Sequence, residues 1–159
     1  MKKYEFTGET KEIRLLFRTA TLHRIRATVA FGIVEVGDLG GWIEKEENLS
    51  HEGKAWVCGD AKVCGDAEVW GNAKVFSASH VLVIGAIGSR NGFTTFYRDK
   101  DNEITVKCGC FLGKIDRFLE KVTQTHGDSK YALVYRAAVE VAKLQIDLSG
   151  EAPKDADEE

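Results

Sequence analysis

Between Gly88 and Arg98 the chain concentrates groups that recognise anions. Two guanidiniums (Arg90, Arg98), an amide (Asn91), three hydroxyls (Ser89, Thr94, Thr95) and three aromatic rings (Phe93, Phe96, Tyr97) stand within eleven residues. Arginine forks fit phosphate oxygens bidentately. Backbone donors near Gly88 and Gly92 can approach an anion closely, and an aromatic face stacks a base for about 1–3 kcal/mol in single-strand binders. The segment predicts a site for a small nucleotide-like anion. Its donors would be Arg90, Asn91, Thr94, Thr95 and Arg98, and Phe96 or Tyr97 would stack the base. Arg24 and Arg26 would add positive potential. Strand alternation divides the set: Phe93, Thr95 and Tyr97 point one way, and Thr94, Phe96 and Arg98 the other.

A base working near neutral pH would be a histidine. The chain has four, His23, His51, His80 and His126, of which His80 and His51 are the candidates for catalysis. The four cysteines are Cys58, Cys64, Cys108 and Cys110. Cys108-Gly109-Cys110 puts two thiols on one side of a strand, but the spacing is not that of a zinc pair, and a tetrahedral site needs all four sulfurs about 2.3 Å from one ion. Reduced thiols are expected, with no metal and no cofactor.

These groups sit in a chain of 159 residues, 43% apolar and 30% charged, with 16 glycines and one proline. That is the composition of one soluble domain with many tight turns. No apolar run approaches the roughly 20 residues of a membrane span. The lysines of Met1-Lys2-Lys3 have no apolar stretch behind them, so no signal peptide is read and a cytoplasmic protein is expected. Net charge is −3. Residues 151–159 carry five acids and one lysine. There is no long basic stripe, which argues against a duplex-DNA binder.

A repeat positions the chemistry. From Ala55 the chain reads AWVCGD, AKVCGD, AEVWGN, AKVFSA, SHVLVI, GAIGSR, six hexads over residues 55–90. One slot holds Ala55, Ala61, Ala67, Ala73, Ser79 and Gly85. Two residues on come Val57, Val63, Val69, Val75, Val81 and Ile87. Residues two apart on a strand share a face, and Gly-Asp or Gly-Asn then turns a corner. This pattern resembles the hexapeptide-repeat family. The resemblance implies a left-handed parallel β-helix of eighteen-residue coils, with Val57 stacked beneath Val75. Leu22 to Ala27, Gly37 to Glu44 and the hexads together resemble phage and prophage proteins. The family's acyltransferases use a catalytic histidine, but the hexad phase puts His80 outward beside Lys62, Glu68 and Lys74. Its carbonic-anhydrase branch needs three zinc histidines, two closely spaced, which this sequence lacks.

The predicted architecture is mainly β. A β-hairpin cap (1–36), with strands at Tyr4–Thr7, Leu15–Phe17 and Leu22–Ala27, precedes a short left-handed parallel β-helix (37–90). A second hairpin (91–110) follows, then two helices (111–150) and a disordered acidic tail (151–159). The first helix face is Ile115, Phe118, Leu119 and Val122, stopped by Gly127. Asp128 caps the second, whose face is Tyr131, Val134, Tyr135, Ala138, Val141 and Ala142. Few coils bury little, and the outward slot (Cys58, Cys64, Trp70, Phe76, Leu82) is apolar. Either the helices cover it or copies of the chain meet there. The resemblance implies a homotrimer or a multiple of it. The predicted function is a non-enzymatic, phage-type binder that sequesters a small nucleotide-derived anion in the host cytoplasm. The alternatives are an acyltransferase, a protein-binding inhibitor or a structural oligomer.

Overall fold

The computed structural model describes residues 2–149. The acidic tail lies outside the described residues. Two long strands open the chain: β1 (Tyr4–Arg14) pairs antiparallel with β2 (Thr19–Ala27). Gly8 does not end β1. With φ at +94° it supplies a bulge, and the register slips between Phe6 and Thr10 while the strand continues. Leu15–Phe17, expected as a strand, is the hairpin tip, where Leu16 and Phe17 are 87% and 94% exposed.

β3 (Leu39–Ile43) adds antiparallel to β2. Its Gly40 and Gly41 lie against the repeat: a Cβ on Gly41 would stand 2.6 Å from the Ala61 carbonyl, and one on Gly40 2.7 Å from the Trp56 ring. The hexads supply three two-residue strands, β4 (Trp56–Val57), β5 (Lys62–Val63) and β6 (Lys74–Val75). The inner slots hold: Ala55, Ala61, Ala67, Ala73 and Val57, Val63, Val69, Val75 are all buried.

The left-handed parallel β-helix, however, is not the architecture. Parallel pairing is confined to two-residue ladders, β3 with β5 and β4 with β6 (Val57 opposite Val75), and one bridge between Leu49 and Val69. The sheets that carry the fold are a mixed one, in the order β1-β2-β3-β5, and a wholly antiparallel one, in the order β10-β9-β8-β7. The physical reason lies at residues 77–80. Ser77 accepts the Ser79 N–H and starts a 3-10 turn over Ala78–His80. The chain then leaves the hexad path as β7 (Val81–Ile87), pairing antiparallel with β8 (Gly92–Arg98). The fifth and sixth hexads keep the spacing in sequence but not in space. β9 (Ile104–Cys108) and β10 (Phe111–Lys114) complete that sheet.

Helices α1 (Ile115–His126) and α2 (Lys130–Gln145) cover one face of the antiparallel sheet. Gly127, at φ +57°, ends α1 by donating to the Thr123 carbonyl. Ser129 stands at the N-terminus of α2 in place of Asp128, and the inward face is Ala132, Ala138, Val139 and Ala142, leaving Tyr131 and Val141 exposed. The outward hexad slot is covered by sheet as well as helix. Lys107 of β9 lies over the Trp70 ring at 4.6 Å, and Arg98 of β8 over Phe76 at 5.1 Å. Among the described residues no helix is long and apolar enough to cross a membrane.

β8 forms the wall between two cores. Thr94 to Arg98 are all buried, with Tyr97 in the hexad core and Phe96 in the sheet–helix core. We predict that Val63→Asp, which buries an unpaired carboxylate among the inner valines, costs several kcal/mol or prevents folding. Lys62→Asp on the exposed neighbour should stay within about 0.5 kcal/mol. Denaturant melts of both variants check this, and equal effects would contradict the inner slot.

Candidate functional site

A recess at Phe31, Trp56 and Phe76 has a volume of only ≈ 30 Å³, about one water. A larger groove of ≈ 590 Å³ opens where the hexads, the antiparallel sheet and the helices meet. This is within the size range of small-molecule sites. Phe93, Phe111 and Phe118 form aromatic walls. The β7–β8 turn brings Arg90, the β9–β10 turn brings Cys108 and Cys110, α1 brings Lys121 and His126, and α2 brings Tyr135.

The segment read as an anion site is dispersed by strand alternation. Arg90 and Asn91 lie in the exposed turn, where Asn91 has φ +49°, and Arg90 reaches the groove. Thr94 is buried and its hydroxyl donates to Cys108 Sγ at 3.3 Å. Thr95 is buried on the other side and accepts the Glu68 N–H at 2.9 Å. Phe96 and Tyr97 are fully buried and present no ring to a ligand, and burial pushes the Tyr97 phenol well above its ordinary value. Arg98 is also fully buried. Its Nη1 donates to the Ser149 carbonyl at 3.0 Å and stands 3.2 Å from His80 Nε2. Arg24 and Arg26 lie on β2, paired with Glu9 at 3.5 Å and Glu5 at 2.7 Å, and do not line the groove.

The two candidate bases are likewise occupied. His80 was expected to point outward with the hexad phase, but it is buried because the 3-10 turn rotates it inward. The Phe76 N–H faces His80 Nδ1 at 3.3 Å and Arg98 faces Nε2; both neighbours can only donate, which disfavours a second proton on the ring. Burial and the Arg98 charge hold its pKa below the usual value. His51 stacks on Tyr4 at 4.1 Å, and its Nδ1 accepts the Lys3 N–H at 3.0 Å, which leaves the ring proton on Nε2. Burial is the main cause that lowers its pKa too.

The groove residues that sequence reading left out are Lys121, His126 and Tyr135. Tyr135 is expected only on a packing face, yet it lies against His126 with 5.8 Å between ring centroids and lines the groove with Cys108. Cys-Gly-Cys was the available signal, had it been read as a turn with both thiols facing one cavity. Cys58 and Cys64 remain in the hexads, and burial pushes both thiols up. Among the described residues no three His, Cys, Asp or Glu side chains converge on a metal position.

The electrostatics of the groove separate its charges into two kinds. Asp66 pairs with Lys45 at 3.5 Å and Glu68 with Lys107 at 3.5 Å. Arg90 and Lys121 face no carboxylate within ion-pair distance among the described residues.

The histidines give a pH prediction with a definite sign. Both have folded-state pKa values below the unfolded value of about 6.5, so on acidification the unfolded chain takes up protons first. Unfolding free energy should therefore fall as pH drops below about 6.5. His80→Gln should flatten that slope, measured by urea melts across pH 5–8, and an unchanged slope would remove the neutral His80. Compared with known proteins, the chain matches no family model and no curated sequence.

Proposed function

We propose that the protein binds a small nucleotide-derived anion in the groove between sheet and helices, holds it without transforming it, and so sequesters it. The observation that carries this is the charge arrangement. Asp66 and Glu68 line the groove but each pairs with a lysine, Lys45 and Lys107, at 3.5 Å, while Arg90 and Lys121 in the same lining have no carboxylate within ion-pair distance among the described residues. A phosphate or carboxylate supplies the missing charge, and Arg90 can grip it with two parallel N–H donors. Phe93 and Phe111 at the groove take over the stacking role first read for Phe96 and Tyr97.

The binder is favoured over the acyltransferase because neither histidine read as a base lines the groove: His80 is buried against Arg98 and the Phe76 N–H, and His51 is stacked on Tyr4. The resemblance of residues 22–75 to phage proteins supplies the setting: a host signalling nucleotide kept out of circulation.

Titration calorimetry against cyclic and ADP-ribose-derived nucleotides tests the reading. Binding should be weakened about tenfold or more by Arg90→Ala and by Lys121→Ala, each losing a charge-assisted contact. Arg24→Ala should bind as the parent does. Ligand released by heat should be chemically unchanged. No binding across the panel, with acetyl-CoA turnover lost in His80→Ala, would replace this reading by the transferase.

A further inference from the structure

The groove also holds a dithiol. Cys108 ends β9, Gly109 turns the chain at φ +57°, and Cys110 follows before Phe111 pairs back with Cys108. Both thiols line the groove. Cys108 Sγ receives the Thr94 hydroxyl at 3.3 Å, and Tyr135 lines the same groove. The Tyr135 oxygen is held in place by close packing: a Cβ on Gly88 would stand 1.9 Å from it. Arg90 lines the same groove. The other two cysteines, Cys58 and Cys64, do not line this groove.

We infer that Cys108 and Cys110 form an exchange site for small disulfides that carry carboxylates. The thiolate of Cys108 attacks one sulfur of R–S–S–R, the Cys108–S–S–R bond forms, and the other R–S⁻ leaves with the electron pair. The thiolate of Cys110 then attacks Cys108 Sγ and expels the second R–S⁻. Each thiol proton passes through solvent to one released R–S⁻. The two cysteines are oxidised to a disulfide and R–S–S–R is reduced to two R–SH. The Thr94 hydroxyl fixes the sulfur that is both nucleophile and later target. Arg90 and Lys121 select an anionic R. That selection, and the blocking of the groove by a bound R–S group, rest on the anion-binding reading; the exchange itself does not.

The full chain is incubated with oxidised glutathione and followed by intact mass and peptide mapping. Cys110→Ser should accumulate one glutathionyl group, on Cys108. The parent should instead lose two hydrogens and yield a peptide linking Cys108 to Cys110. Arg90→Ala should slow the Cys108 reaction about tenfold with oxidised glutathione but not with the uncharged 2-hydroxyethyl disulfide. The exchange site is overturned if folded Cys110→Ser, checked by circular dichroism, gains no adduct on Cys108. It is overturned equally if Cys58 or Cys64 reacts as fast. Equal parent rates with the two disulfides would overturn the anionic class. A Cys110→Ser adduct that still binds nucleotide would overturn the blocking. A protein that exchanges yet binds no nucleotide at all would sink the anion-binding reading and leave the dithiol standing.

Discussion

A guanidinium with no exposure to solvent governs how this chain is assembled. Removing Arg98 from water is costly unless its donors and its charge are answered inside the protein. Three separate places contribute to that answer: His80 in the 3-10 turn, the face of Phe76 in the fourth hexad, and the Ser149 carbonyl beyond α2. One side chain thus ties the end of the repeat, β8 and the segment after the last helix to a common point. Burial and the Arg98 charge together hold the His80 pKa below its usual value. The residue that reads most readily as an anion ligand is part of the frame.

β8 carries the second constraint. A strand alternates its side chains, and here each face meets a different core. Tyr97 and Thr95 turn toward the hexads and Phe96 and Thr94 toward the helices. A strand buried on both faces has few polar groups left for a ligand. What it offers the groove lies at its turn, Arg90, and through a neighbour, Thr94 acting on Cys108. The groove exists because the sheet, the repeat and the helix pair meet at an angle that no one of them fills.

Much of the local structure was legible. The alanine and valine slots mark the buried positions from Ala55 to Val75 because small and β-branched residues at fixed spacing have one common use, an interior wall. Gly127 marked the end of α1, since a φ of +57° is the conformation glycine adopts readily. The global architecture was not legible. Hexad spacing says which side chains go inward but not how far the parallel ladder runs, and Ser77, whose hydroxyl captures the Ser79 N–H, diverts the chain where the spacing still continues. Extending the phase past that point put His80 on the outside. The candidate site was half legible: Arg90 belongs to it, while Lys121, His126 and Tyr135 come from two helices and share no local motif with it. Only the packing of α1 and α2 on the sheet brings them together.

β1 is the outer strand of the mixed sheet, and such a strand offers unpaired N–H and C=O groups to any passing chain. Glu5, Glu9, Lys11, Glu12 and Arg14 place charge of both signs along it, and the bulge at Gly8 breaks its straight run of donors and acceptors. A foreign strand would have to desolvate those charges and follow a ladder that changes step midway. A hairpin long enough to seed fibrous aggregation is thereby made a poor template for a second copy of itself.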